Sequence, residues 1–152
     1  MQKKAILISA CLLGVPCRYD GKSIPNDAVW QLAKNYRFIP VCPEVMGGLP
    51  TPREPMELQG DRVVGQSGAD GTSAYRKGAQ LALDLAKQYG CRAALLKERS
   101  PSCGAGAIHN GRFDGGMVPG NGITAARLLA EGIAVFHERQ IDELVAFLEK
   151  KT

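Results

Sequence analysis

The sequence predicts a single-domain α/β protein, with a mostly parallel sheet flanked by helices in a Rossmann-like three-layer arrangement. Three observations predict it. Short apolar runs alternate with helix-period segments along the chain, the pattern of parallel strands joined by crossover helices. The run Ala93 to Lys97 is apolar without alternation, as a strand covered on both faces must be. A length of 152 residues fits one hydrophobic core, and no linker, internal repeat or low-complexity tail divides it.

The elements follow in order. Ala5 to Ala10 is short, apolar and ends at small residues before a Gly/Pro-bearing loop, Gly14 to Gly21, so it reads as a buried strand. Asn26 or Asp27 is suited to cap a first helix carrying Val29, Trp30 and Ala33. Phe38 to Val41 is a second strand despite Pro40, and a polar, proline-rich region from Pro43 to Gly71 follows, with a minor strand at Arg62 to Gly65. A long helix runs from Thr72 to a C-terminal stop at Gly90, with Ala79, Ala82, Leu83 and Ala86 as its packing stripe. After the strand at Ala93, a glycine-rich stretch from Gly104 to Gly122 leads to a helix at Thr124 to Ala130. Ile133 to Phe136 is the last strand, and Ile141, Leu144, Val145 and Leu148 mark a closing amphipathic helix.

Composition narrows the function classes. The formal charge of +4 is spread along the chain without a dense basic tract, which describes a solvated surface and no clear nucleic-acid site. The N-terminal run from Ala5 is broken at Ser9, no cleavage segment follows, and no stretch reaches the length of a membrane span. The expectation is a mature cytoplasmic protein without a membrane partner.

Five cysteines, an odd number without a secretion signal, argue against a disulfide framework. Cys11 follows the first strand, Cys42 the second, and Cys103 lies a few residues beyond the strand ending at Lys97. The strands of an open parallel sheet end on one edge, where ligands bind, so these three thiols are expected to converge. Each alone is more often a buried filler than a ligand. Together they form a candidate metal centre, because each is flanked by Gly or Pro in a loop that turns sharply and exposes backbone N–H groups. Cys91 begins a strand at the opposite edge and is assigned to packing. Cys17 shares the loop of Cys11 and is either a fourth ligand or a neighbour.

At these residues the chain resembles the DUF523 family, small bacterial proteins that include a thiouracil desulfurase. The resemblance rests on Ser9-Ala10-Cys11-Leu12-Leu13-Gly14 with Arg18-Tyr19-Asp20-Gly21, on Cys42-Pro43-Glu44 with Gly47-Gly48-Leu49 and Pro52-Arg53, and on Leu96-Lys97-Glu98 with Ser100-Pro101-Ser102-Cys103-Gly104. Weaker agreement continues through Gly120-Asn121-Gly122 and Gly132-Ile133 to Glu138. The resemblance implies a [4Fe-4S] cluster held by Cys11, Cys42 and Cys103, with a fourth iron left open to the sulfur of a small thiolated pyrimidine. It also implies non-redox desulfuration, with water attacking the ring carbon, and a catalytic glutamate and serine. Glu44 matches the glutamate; Ser100 is the favoured serine, with Ser102 the alternative. Plainer roles are a surface carboxylate for Glu44 and turn capping for both serines. Many relatives have valine where this chain has Cys17, which is read as an uninvolved neighbour rather than a ligand to the open iron.

Asp20, Arg53 and Lys97 are further candidates for a pyrimidine's polar edge, each as readily satisfied by nearby backbone. Of the two histidines, His109 and His137, the second follows a strand toward the site, though a surface role suits it better. Gly104-Ala105-Gly106 and Gly115-Gly116 match neither a Walker A motif nor a dinucleotide fingerprint. Competing readings are a structural zinc site on Cys11, Cys17, Cys42 and Cys103, metal-free thiol chemistry at Cys11 or Cys103, and a non-enzymatic thiopyrimidine- or RNA-binding module.

Overall fold

The computed structural model describes residues 3–150. Its central sheet has the strand order β2 (Tyr36–Val41), β1 (Lys4–Ser9), β5 (Ala93–Leu96), β8 (Ala134–His137), and every pairing is parallel. The apolar strands are continuous because both faces are covered. Leu7, Ala94 and Leu96 pack with α3 (Thr72–Gln88) and α4 (Ile123–Ala130) on one side. Ile6, Ile8, Ala93 and Leu95 pack with α1 (Asp27–Gln31) and α5 (Ile141–Glu149) on the other. This is the three-layer α/β architecture expected from the sequence. Among the described residues no helix is long and apolar enough to cross a membrane.

Pro40 is tolerated because β2 is an edge strand, where a missing N–H need not disrupt a ladder. The first helix is capped by Asn26, whose side chain accepts the Val29 N–H at 3.1 Å, and it tightens into a 3-10 turn after one and a half turns. Helix α3 ends two residues before Gly90, which takes the left-handed conformation (φ 67°) that stops it. The two regions read from sequence as irregular contain more structure than proline and glycine content suggested. The first holds a short helix α2 (Pro43–Met46) and the antiparallel hairpin β3 (Met56–Gln59) and β4 (Arg62–Gly65). The second holds the hairpin β6 (Ala107–His109) and β7 (Met117–Pro119). Both are two-stranded and short; Arg62–Gly65 is the one strand of the four that the sequence marked, and the other three are too brief to register.

The chain runs from β1 outward to β2, then returns to add β5 on the opposite side of β1. The crevice beyond the ends of β1 and β5 is therefore a topological switch point, the place where open α/β sheets bind ligands. Two glycines bring α2 to this edge. A Cβ at Gly78 would overlap the Pro43 carbonyl, and one at Gly47 would overlap that of Ala74, so backbone packs on backbone where α2 crosses α3. Replacing a mid-helix glycine by alanine ordinarily stabilises a helix by about 1 kcal/mol. Gly78→Ala is expected to reverse that sign and lower the urea midpoint; a raised midpoint would show that α2 does not make this contact.

Candidate active site at the carboxyl edge of the sheet

Three loops deliver three thiols to one cavity. Cys11 lies in a 3-10 turn, Ala10–Leu13, directly after β1, and its carbonyl accepts the Ile24 N–H at 2.9 Å, which folds the 14–26 loop back over the strand end. Cys42 precedes Pro43 at the start of α2. Cys103 sits in the turn after β5, whose Pro101 and Ser102 carbonyls receive the N–H groups of Ile123 (2.8 Å) and Thr124 (2.9 Å). The turn thereby satisfies the free N–H groups that open α4. Gly122 allows this, because a side chain there would collide with Ser102. Cys11, Cys17, Cys42 and Cys103 all line the same cavity of about 560 Å³, and all five cysteines are free.

Glu44 enters the cavity from the second position of α2 and is held by two groups. The Tyr75 hydroxyl, from one turn before Gly78 on α3, donates to Glu44 Oε1, and Arg53 Nε approaches the same oxygen at 3.4 Å. Arg53 is a buried cation, its side chain 6% exposed, so its remaining donors also need partners. They find the Cys17 carbonyl (3.0 Å), the Pro50 carbonyl (3.2 Å) and Thr51 Oγ1 (3.1 Å). Both contacts to Glu44 converge on Oε1, and among the described residues Oε2 has no hydrogen-bond partner. Burial and the Glu44 charge push the Tyr75 hydroxyl far up, so it remains a donor.

The two serines separate clearly. Ser100 lines the cavity, and its Oγ accepts the N–H groups of Ser102 (2.9 Å) and Cys103 (3.0 Å), which fixes the oxygen and leaves its proton to be donated. Ser102 is fully buried and bonds Thr124 Oγ1 at 2.8 Å, a lock between the turn and α4. Arg99 and Phe113 are the two non-glycine residues with positive φ among the described residues (70° and 57°), and both line this cavity. Backbone strain of this kind concentrates at functional sites.

The remaining candidates sort by their partners. Lys97 lines the cavity, but its Nζ is paired with Glu138 at 2.9 Å. Burial alone would raise the Glu138 carboxyl; the hydrogen bonds from Lys97 and from backbone N–H groups outweigh it and hold the group below its ordinary range. Asp20 is absent from the cavity wall and bonds the Lys22 N–H at 3.0 Å, the backbone role weighed for it. His137 turns its Nδ1 to the Arg139 N–H (3.1 Å) in the turn between β8 and α5. Glu98, His137 and Glu138 do approach within 4.8 Å, but Arg139 and Lys97 already neutralise the two carboxylates. Cys91 is buried in the core beneath the opposite end of β5, as assigned. Tyr75, Glu57, His109 and Phe113 line the cavity without having been singled out for it. Their signal is weak because each comes from an element whose approach to the sheet edge no local pattern announces.

The thiols do not share one acidity. Burial, then the neighbouring Cys42, pushes Cys11 up to about 11, and burial pushes Cys103 further. The Cys17 thiol is raised chiefly by its hydrogen bond to Cys42, and the same bond draws Cys42 down to about 7. Cys42 is also less buried than the other three. Metal ligation requires thiolates, so loading this site releases protons and favours higher pH. In metal-free protein near neutral pH, iodoacetamide is expected to modify Cys42 first and Cys103 last, read by peptide mass spectrometry. Cys42 labelling should climb as pH rises through about 7; Cys103 reacting first would contradict the geometry.

A family model described as 2-thiouracil desulfurase matches residues 6–140. The chain is 39% identical over 150 residues to the uncharacterized protein YbbK of Bacillus subtilis (strain 168), covering 92% of this chain and 99% of that one. Among solved structures it is similar to the [4Fe-4S]-dependent thiouracil desulfidase TudS, with a TM-score of 0.91 and 52% identity over 96% of this chain and 98% of that one. On the match across nearly all its length, this chain belongs to the 2-thiouracil desulfurase family.

Proposed function

We propose that this protein removes sulfur from thiouracil or a related thiolated pyrimidine by a non-redox reaction with water. Cys11, Cys42 and Cys103 are the thiolates that hold a [4Fe-4S] cluster, and Glu44 and Ser100 are the catalytic residues. The observation that carries this reading is one cavity lined by all five side chains, reached from three separate strand ends. The [4Fe-4S]-dependent thiouracil desulfidase TudS, alike over nearly the whole chain, supports it.

The donor set fits the group. Cys11, Cys42 and Cys103 bring three thiols to one cavity, and thiolates are the soft ligands by which iron–sulfur clusters are held. Ligation by three thiolates rather than four supplies an iron with an exchangeable position, a Lewis acid for a soft thiocarbonyl sulfur.

The chain's own groups do the proton work. Glu44 Oε2 accepts a proton from a water molecule, while Tyr75 and Arg53 hold Oε1 and fix the carboxylate's orientation. Ser100, whose oxygen is already engaged by two backbone N–H groups, turns its proton toward the attacking water and orients it. The water oxygen bonds the ring carbon, the C–S bond breaks with its electron pair on sulfur, the departing sulfide takes up the proton held by Glu44, and the remaining water proton passes to solvent as the ring carbonyl forms. No electron is gained or lost. Cys17 is read as a neighbour of the site rather than a fourth ligand, its carbonyl accepting from the Cys42 thiol at 3.6 Å and from Arg53 at 3.0 Å.

Cluster-reconstituted protein incubated with 2- or 4-thiouracil tests the reading by uracil and sulfide release. Single Cys→Ser changes at 11, 42 and 103 are each expected to abolish turnover, and intact turnover would sink the proposal. Glu44→Gln should retain the cluster's absorbance and lower kcat by at least about 100-fold, the usual loss for a general base. Tyr75→Phe removes one of the two groups orienting Glu44 and should cost less, on the order of tenfold. A Tyr75→Phe loss exceeding that of Glu44→Gln would place the proton transfer elsewhere.

A further inference from the structure

We infer that His109 reads the substrate: its Nε2–H donates a hydrogen bond to the ring oxygen of the thiopyrimidine, selecting bases that keep a carbonyl beside the thiocarbonyl. The inference rests on the desulfuration reading of this cavity and adds a specificity residue to it.

His109 is the last residue of β6 and lines the cavity. Its Nδ1 is buried and is the one buried side-chain polar atom without a hydrogen-bond partner among the described residues. A proton on that nitrogen would be a buried donor with no acceptor, at the full cost of desolvating that N–H. Unsatisfied acceptors are tolerated more readily than orphaned N–H groups. With a single ring proton, the imidazole therefore carries it on Nε2. Because Nδ1 is sealed, Nε2 is the ring nitrogen that a ligand can meet, and it meets it as a donor.

The wall carrying His109 is held in place. Glu57 Oε1, from the neighbouring hairpin, accepts the Gly111 N–H (2.9 Å) and the Phe113 N–H (3.2 Å), and Gln59 Nε2 donates to the Gly111 carbonyl (2.7 Å). These bonds tie the two hairpins together just beyond His109. Of the other charged groups on the wall, Arg53 pairs with Glu44, Lys97 with Glu138, Glu98 with Arg139, Arg18 with Asp20 and Glu57 with its two backbone donors, while Arg99 is exposed and its side chain has no partner among the described residues. The His109 side chain has no hydrogen-bond partner among the described residues. A thiouracil whose sulfur and reacting carbon lie toward the thiols, Glu44 and Ser100 still has a ring oxygen to satisfy, and the hairpin wall presents an uncommitted donor for it. A carbonyl acceptor fits this donor; a bare C–H at the same ring position does not.

The test compares 2-thiouracil with pyrimidine-2-thione, which keeps the thiocarbonyl and lacks the ring oxygen. In reconstituted protein, His109→Ala should lower kcat/KM for 2-thiouracil roughly three- to tenfold, the loss of one neutral hydrogen bond. It should leave pyrimidine-2-thione unchanged, and His109→Gln, which retains a donor, should recover most of the loss. Equal losses on both substrates, or none on either, overturn the assignment of His109. Wild-type protein that desulfurates neither substrate overturns the desulfuration reading instead. A second measurement needs no turnover and no variant. The imidazole ¹⁵N spectrum of wild-type protein should show His109 protonated on Nε2, with that resonance shifting on addition of uracil. A ring protonated on Nδ1, or one indifferent to uracil, overturns the inference.

Discussion

Because β1, β2 and β5 run in the same direction, the loops that follow them leave the sheet at one edge, and Cys11, Cys42 and Cys103 meet there although long stretches of chain separate them. Parallel pairing is the constraint on which the rest depends. Antiparallel pairing would send alternate loops to opposite ends and scatter the thiols. The pairing in turn requires crossover helices, and these cover both faces, which is why the strands are apolar throughout. Core and site are thus consequences of one topology.

Once the thiols are gathered, the chain must keep charge and polarity satisfied in a partly buried place. It does so by pairing. Arg53 cancels the charge of Glu44 and ties it to the Cys17 loop, Lys97 cancels Glu138, and Arg139 cancels Glu98. The backbone contacts at Gly47, Gly78 and Gly122 set how closely α2 and the Cys103 turn approach the helices behind them. Tyr75 reaches Glu44 only because Gly78, one turn further along α3, lets α2 settle on that helix. A packing requirement remote from chemistry therefore aims a carboxylate.

The hairpins supply the other side of the cavity. Neither contributes to the central sheet, and each is too short to be stable alone. Glu57 joins them by accepting two N–H groups from the 111–113 turn, which ties the wall bearing His109 and Phe113 to the neighbouring hairpin. Sheet edge and hairpin wall thus line one cavity, the former carrying Cys11, Cys42 and Cys103 and the latter His109 and Phe113. The left-handed conformations of Arg99 and Phe113 mark the bends at which the chain enters and lines this space.

The sequence by itself determined the fold class, the order of the main strands and helices, and the three cysteines at the strand ends. These are written locally: apolar runs such as Ala93 to Leu96 and the spacing of Ile141, Leu144, Val145 and Leu148 report burial directly, and a motif such as Cys42-Pro43-Glu44 is contiguous. It left Ser100 and Ser102 in competition, since two serines in one turn differ only in which way each points; burial against Thr124 separates them. It also gave no signal for Tyr75, Glu57 or His109. Tyr75 is one more residue on a long amphipathic helix, and His109 lies in a strand of three residues within a glycine-rich stretch. Only the tertiary structure decided their places, because each reaches the cavity through a contact between elements distant in the chain, and such contacts leave no periodicity behind.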